Sequence, residues 1–133
     1  MANALLLDIV NFLVSKGIIK NDGVDAFRDF TPEEPDSVLV LHEYKGDPAS
    51  MHDTAVNRSV QITVRDNDPD KARCKAVSAF KAFRNAQAED GRVDLTTTRW
   101  GQVYLRNTPF RLKMDDNNRT IYAFNIGITT TIE

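Results

Sequence analysis

The chain has 133 residues, of which 41% are hydrophobic and 27% are charged, and its formal net charge is −2 at neutral pH. This length predicts one domain spanning residues 1–133, and the composition excludes a chain that is mostly disordered. The charge predicts no general attraction to nucleic acid. Cys74 is the only cysteine, so an intrachain disulfide is excluded.

The N-terminal region predicts an amphipathic helix. Apolar residues recur at three- and four-residue spacing between positions 6 and 14, and Gly17 is placed to end the helix. Asp8 and Asn11 interrupt the apolar run before it reaches the length of a signal peptide. No segment approaches the roughly 20 apolar residues that a membrane-spanning helix needs, so we expect no membrane partner.

The next part of the chain predicts a connector and two strands. Residues 18–36 contain a glycine and two prolines, which indicates an extended connector with a short strand at residues 24–27. Residues 37–44 are mostly apolar, as in a strand covered on both faces. Residues 45–57 predict a loop. Residues 58–65 alternate between apolar and polar positions, which predicts a strand with one face in the core.

A long helix is predicted over residues 69–89. Asp68 can cap its first N–H groups, and Pro69 suits the first helical position because its missing N–H needs no acceptor there. The predicted buried stripe contains Ala72, Ala76, Val77, Phe80 and Phe83. Its packing partner is expected to be the apolar face of the strand at residues 58–65.

The last third predicts strands at residues 93–98, 103–106 and 110–114. Four polar residues, 115–118, predict a hairpin turn. The returning strand places Tyr122, Phe124, Ile126, Ile128 and Ile132 on one face. We therefore predict an α+β fold in the order α-β-β-α-β-β, with an antiparallel or mixed sheet and both helices on one face.

Two carboxylates and a lysine resemble the residue types of a metal-dependent nuclease. They occur in Pro35-Asp36 and in Glu43-Tyr44-Lys45. Asp36 and Glu43 are predicted on one strand, however, where seven residues separate their backbones by about 23 Å, too far to share one ion. We therefore expect no enzyme activity, no catalytic residue, no cofactor and no metal site, with a small nuclease as the less favoured alternative.

The remaining residues with reactive or charged side chains do not form a recognisable metal or DNA-binding site in the sequence. Residues 115–118 lack the glycine and distal glutamate of a calcium loop, and His42, His52 and Cys74 lack metal-ligand spacing. The basic residues of the long helix are expected to form a solvated face rather than a DNA-binding surface. Trp100, beside Arg99, fits equally a core position or an exposed anchor for a partner.

Several segments, in order, resemble the tail terminator and head-to-tail joining proteins of tailed bacteriophages. They are the N-terminal helix, Pro35-Asp36, Glu43-Tyr44-Lys45-Gly46, the strand running from Val60 to Asp66, the alanine-rich helix, Pro109, and the strand running from Arg119 to Asn125. The resemblance implies an α+β structural protein of the virion, assembled in the bacterial cytoplasm. It implies a ring, commonly of six subunits, that caps the finished tail tube and meets the head connector.

The resemblance also implies the partners of such a protein. These are further copies of itself, the major tail tube protein and the head–tail connector proteins, with DNA only passing through the lumen of the ring. A head-closure or connector adaptor is the alternative within the same class. Candidate interface residues are Tyr44, Lys45, His52, Arg99 and Trp100. The predicted loop at residues 45–57 is expected to become ordered when the protein meets the tail tube.

Overall fold

The computed structural model describes residues 4–46, 55–89, 92–93 and 101–131. Two helices and one mixed sheet of seven strands form the described part of the chain. The elements are α1 (Ala4–Ser15), β1 (Ala26–Arg28), β2 (Val38–Tyr44), β3 (Ala55–Asp66), α2 (Pro69–Glu89), β4 (Arg92–Val93), β5 (Gly101–Leu105), β6 (Phe110–Met114) and β7 (Thr120–Thr131).

The sheet is built around the antiparallel pair of its two longest strands, β3 and β7, which are in register over twelve residues. On one side, β2 is antiparallel to β3, and the short β1 is parallel to β2. On the other side of β7, β5 and β6 pair with different parts of the same strand, and β4 pairs with β5. The sheet is therefore mixed because of its outermost strand, β1.

Local sequence signals account for the helix boundaries. The Asp68 carboxylate accepts the N–H of Asp70 at 3.0 Å, which caps α2 as predicted. Gly17 has a φ of 75° just beyond α1. Its N–H donates to the Val14 carbonyl at 3.0 Å, and the N–H of Ile18 donates to the Leu13 carbonyl at 3.0 Å. These two bonds form a Schellman motif, which satisfies carbonyl groups at the end of the helix.

Both helices pack on the same face of the sheet. The Phe12 ring of α1 lies 5.1 Å from the Phe83 ring of α2, and Phe83 lies 6.3 Å from Phe124 of β7. The fully buried side chains include Leu5, Leu6, Ile9, Leu13, Leu39, Leu41, Ile62, Phe83, Phe124, Ile126 and Ile128. The hydrophobic core therefore lies between two helices and one sheet, which confirms the predicted α+β class.

The structure confirms several predicted elements and extends others. The bounds of α2 and β6 match the predicted ranges, and β1 is offset by one or two residues. β3 starts at Ala55, so the predicted loop at residues 45–57 was too long at its end. The described chain also contains more strands than the predicted order. Residues 94–98 of the predicted strand, and Ile132, lie outside the described residues.

Packing of the predicted α2 stripe is uneven. Ala72, Ala76 and Phe83 are fully buried, whereas Phe80 is partly exposed although it packs against the core. The edge of the Phe80 ring contacts Phe124 at a centroid distance of 5.7 Å. Phe83, rather than Phe80, is therefore the aromatic residue of α2 on which the core depends most.

Candidate assembly surface

The side of the sheet away from the helices, here called the open face, is polar along its middle. Because successive side chains of a strand point to opposite faces, residues that alternate with the core positions of β2, β3 and β7 point to this side. His42 of β2 lies opposite Gln61 of β3, and the Thr129 hydroxyl donates to the Asn57 side-chain oxygen at 2.6 Å. This face suits contact with water or with a polar partner.

An aromatic ring fills a gap on the open face of β7. Gly127 lies opposite Tyr104 of β5, and a Cβ at Gly127 would run into the Tyr104 ring. The guanidinium of Arg106 lies over the Tyr104 ring, 5.2 Å from the ring centre. The glycine therefore lets the tyrosine lie flat on the sheet.

Residues 30–37, here called the strap, are bound to one end of the open face by a buried arginine. The guanidinium of Arg65 donates to the carbonyl oxygens of Pro32 at 2.7 Å, Pro35 at 2.6 Å and Asp36 at 3.3 Å. Arg65 is 4% exposed. The strap is irregular and its carbonyl groups lack partners in a strand, so the N–H groups of Arg65 satisfy them and hold the strap to the sheet.

A second buried arginine ties the strap to the hairpin between β6 and β7. Arg119 donates to the carbonyl of Glu33 at 2.6 Å, to the carboxylate of Asp36 at 3.2 Å and to the carboxylate of Asp115 at 2.8 Å. Burial alone would lower the pKa of Arg119, but the hydrogen bonds and charges of Asp115 and Asp36 outweigh burial and raise it. The guanidinium is thus held in its charged form.

The two arginines oppose each other electrostatically. Burial first, and the positive charge of Arg119 second, lower the pKa of Arg65. The carboxylates of Asp115, Asp36 and Glu33 act in the opposite direction. Two guanidinium groups can share this small volume because carboxylates and carbonyl oxygens surround them.

The predicted hairpin turn at residues 115–118 is confirmed. One oxygen of Asp115 accepts the N–H groups of Asn117 at 3.0 Å and Arg119 at 2.9 Å, and Asn118 has a φ of 60°. Burial alone would raise the pKa of Asp115, but the hydrogen bonds from Arg119 and Asn117 outweigh burial and lower it. Both oxygens of Asp115 are used within the turn and by Arg119, which is a structural role.

A groove of about 380 Å³ lies between the strap, the open face and the hairpin turn. Its lining includes His42 and Gln61 from the sheet, Glu33 from the strap, and Lys113 and Asp116 from the hairpin. Acidic and basic groups are mixed in these walls. Within the described ranges, no three His, Cys, Asp or Glu side chains come close enough to hold a metal ion.

The edge strand β6 exposes apolar side chains. Phe110, Leu112 and Met114 are 37%, 42% and 45% exposed. Arg111 and Lys113 lie between them in the sequence and are also exposed, and the pairing of β6 with β7 shifts register between these two residues. None of the described strands pairs with the outer edge of β6, whose one partner among them is β7. Exposed apolar edge strands are typical sites of association with another chain.

The opposite edge of the sheet, at β1, carries a second apolar patch. Val24 is 57% exposed just before the strand, and Phe30 is 62% exposed just after it. The Phe30 ring meets the edge of the Phe27 ring at a centroid distance of 6.3 Å. The sequence contained these residues, but their association at an edge depends on the strand order.

A family model described as "Bacteriophage tail terminator protein" matches residues 12–132. The chain belongs to the bacteriophage tail terminator family. A chain of a solved structure titled "Virion of native gene transfer agent (GTA) particle" is similar over 97% of this chain and 96% of that chain, with a TM-score of 0.62 and 14% identity. At this identity, the likeness shows a shared fold. No curated protein matches the sequence.

Family membership confirms the resemblance found in the sequence. Tail terminators are structural phage proteins of the virion, and the family is not one of enzymes. The tail terminator fold also gives a physical reason for one glycine of the motif Glu43-Tyr44-Lys45-Gly46. A Cβ at Gly46 would run into the backbone carbonyl of Asn57, so a larger residue has no room there.

The residues of the nuclease alternative are separated in this tail terminator. Asp36 lies before β2 and accepts a hydrogen bond from Arg119, whereas Glu43 near the end of β2 forms a two-point ion pair with Arg58 at 2.6 and 2.7 Å. The two carboxylates are therefore bound by different arginines, and the prediction that both lie on one strand was wrong for Asp36.

Two of the five predicted interface residues lie in the described part of the tail terminator. Tyr44 is exposed at the end of β2, opposite Ser59, and Lys45 is exposed directly after it. His52, Arg99 and Trp100 lie outside the described residues. None of the described helices is long and apolar enough to cross a membrane.

Proposed function

We propose that this tail terminator closes into a ring of six copies, caps the completed tail tube and joins it to the head connector. The observation that carries the proposal is the family match over residues 12–132. Its partners are further copies of itself, the major tail tube protein and the connector proteins at the head–tail junction. DNA passes through the lumen of the ring without a dedicated binding site.

The geometry supports a ring because two outer strands of the sheet, β6 and β1, carry different apolar patches. Identical subunits that join through two different surfaces form a head-to-tail contact, which either closes into a ring or grows without limit. A protein that ends a tube needs the closed form. Tyr44, Lys45, His52, Arg99 and Trp100 are proposed contacts with the tube or connector. The exposure of Tyr44 and Lys45 supports this role for these two residues.

Electron microscopy of particles assembled without this protein tests the proposal. Tails that are overlong or not joined to heads are expected, and supplying the wild-type protein should restore joined tails of normal length. Heads that leak DNA beside tails of normal length would instead favour the head-closure alternative. Particles with normal, joined tails would refute both assignments.

A further inference from the structure

The two apolar edges lie too far apart to meet within one chain. β3 occupies one edge of β7, so β6, which pairs with the same residues of β7, must occupy the other edge. β1 lies outermost on the side of β3, beyond β2. Four strand spacings of about 4.8 Å separate β1 from β6, roughly 19 Å across the sheet. The two edges of one chain therefore cannot pack against each other, whereas the edges of two neighbouring copies can.

Each of the two edges carries an exposed charge whose sign is opposite to that of a charge at the other edge. Arg111 and Lys113 stand between the exposed apolar residues of β6, and neither has an ion-pair partner in the described part of the chain. Asp22 and Asp29 flank β1. Asp22 is paired with Arg28 at 2.8 Å, whereas exposed Asp29 has no ion-pair partner among the residues described.

We propose that the β6 edge of one copy packs against the β1 edge of the next copy around the ring. In this contact, Phe110, Leu112 and Met114 meet Val24, Phe27 and Phe30, and Lys113 of one copy pairs with Asp29 of its neighbour. The inference rests on the ring proposed above and assigns its subunit interface.

Pairing of β6 with a second β6 fits the charges less well. Such a dimer would place the Arg111 and Lys113 side chains of two copies beside each other, and like charges across paired strands are destabilising. It would also leave the β1 patch exposed. The contact between unlike edges removes both problems and can continue from copy to copy.

The contact is made by side chains rather than by adding a strand to the sheet. β1 has only three residues, and the carbonyl of Ala26 already accepts the N–H of Gly23 at 2.7 Å. The apolar surface exposed on each edge is on the order of 200 Å². Stable interfaces bury about 800 Å² on each partner, so this contact needs the tail tube to hold the ring together.

Charge exchange between copies tests this interface. Asp29→Lys and Lys113→Asp are made as single variants and as a double variant, and ring formation on purified tail tubes is counted by electron microscopy. Each single variant should need about tenfold more protein than wild type to cap half of the tubes. Lys81→Asp, on the exposed side of α2, is the matched control and should cap tubes like wild type.

The two single variants mixed in equal amounts should cap tubes again, because alternating copies place opposite charges at every contact. The double variant should also recover. Residues about 19 Å apart in one chain cannot compensate for each other, so recovery identifies a contact between copies. Circular dichroism with thermal unfolding checks that every variant is folded.

The possible failures are distinguishable. Two results would overturn this interface while leaving the ring intact. In the first, the single variants cap tubes like wild type. In the second, the variants stay folded, but capping recovers neither in the mixture nor in the double variant. Wild-type protein that forms no ring on tail tubes would overturn the proposed function itself.

Discussion

Replacing Phe83 with alanine is the sharpest test of the packing between the helices and the sheet. Phe83 is fully buried, and its ring contacts Phe12 of α1 at 5.1 Å and Phe124 of β7 at 6.3 Å. The Phe83 side chain therefore connects α2 both to α1 and to the sheet. Removing its ring would leave a cavity between these three elements.

The expected cost follows from burial and ring contacts. A buried phenylalanine replaced by alanine typically loses about 3–5 kcal/mol, because the transfer free energy of the ring is lost and a cavity remains. Two aromatic contacts place Phe83 at the upper end of this range. Phe80→Ala should cost less, because the wild-type Phe80 ring is partly exposed and makes one described aromatic contact, with Phe124.

Urea unfolding followed by circular dichroism measures both variants. With an m-value of about 2 kcal/mol/M, the midpoint of Phe83→Ala should fall by about 1.5–2.5 M. Lys81→Ala, at an exposed position of the same helix, is the surface control and should stay within about 0.5 kcal/mol of wild type. A loss for Phe83→Ala as small as that of the control would refute the described core.

Three further outcomes are expected. Asp115→Asn should lower the free energy of unfolding by about 1–3 kcal/mol at pH 7. Because folding lowers the pKa of Asp115, the difference between variant and wild type in urea unfolding should shrink as the pH falls below about 4. A difference that stays constant with pH would contradict the charged hydrogen bonds. Gly46→Ala should destabilise more than Gly127→Ala, because a backbone carbonyl cannot move aside as the Tyr104 ring can; equal thermal shifts would contradict this. Deleting residues 48–53, which leaves β3 intact, should preserve the unfolding temperature but prevent capping of tail tubes; normal capping would exclude a role for this segment.

The sequence predicted the elements whose signals are local. The Asp68-Pro69 start of α2, the polar turn at residues 115–118 and the alternation along β7 each depend on residues a few positions apart. These features were confirmed. The α+β class followed from them because an apolar helix stripe and a half-apolar strand each need a partner.

The assembly surface depended on contacts that a local pattern does not contain. Arg65 and Arg119 are ordinary strand residues in the sequence, and only the fold brings them to the strap at residues 30–37. Arg119 and its partner Asp36 are more than 80 positions apart in the chain. The apolar residues of β6 were expected in a strand but not at an edge, because strand order is set by long-range pairing.

Cryo-electron microscopy of complete tails is the most direct test of a terminator ring. We expect a closed ring of this fold at the head-proximal end of the tube, with the β6 edge of each copy beside the β1 edge of the next. Density for this protein elsewhere in the particle, or a tube end that lacks it, would contradict the proposed role as a terminator.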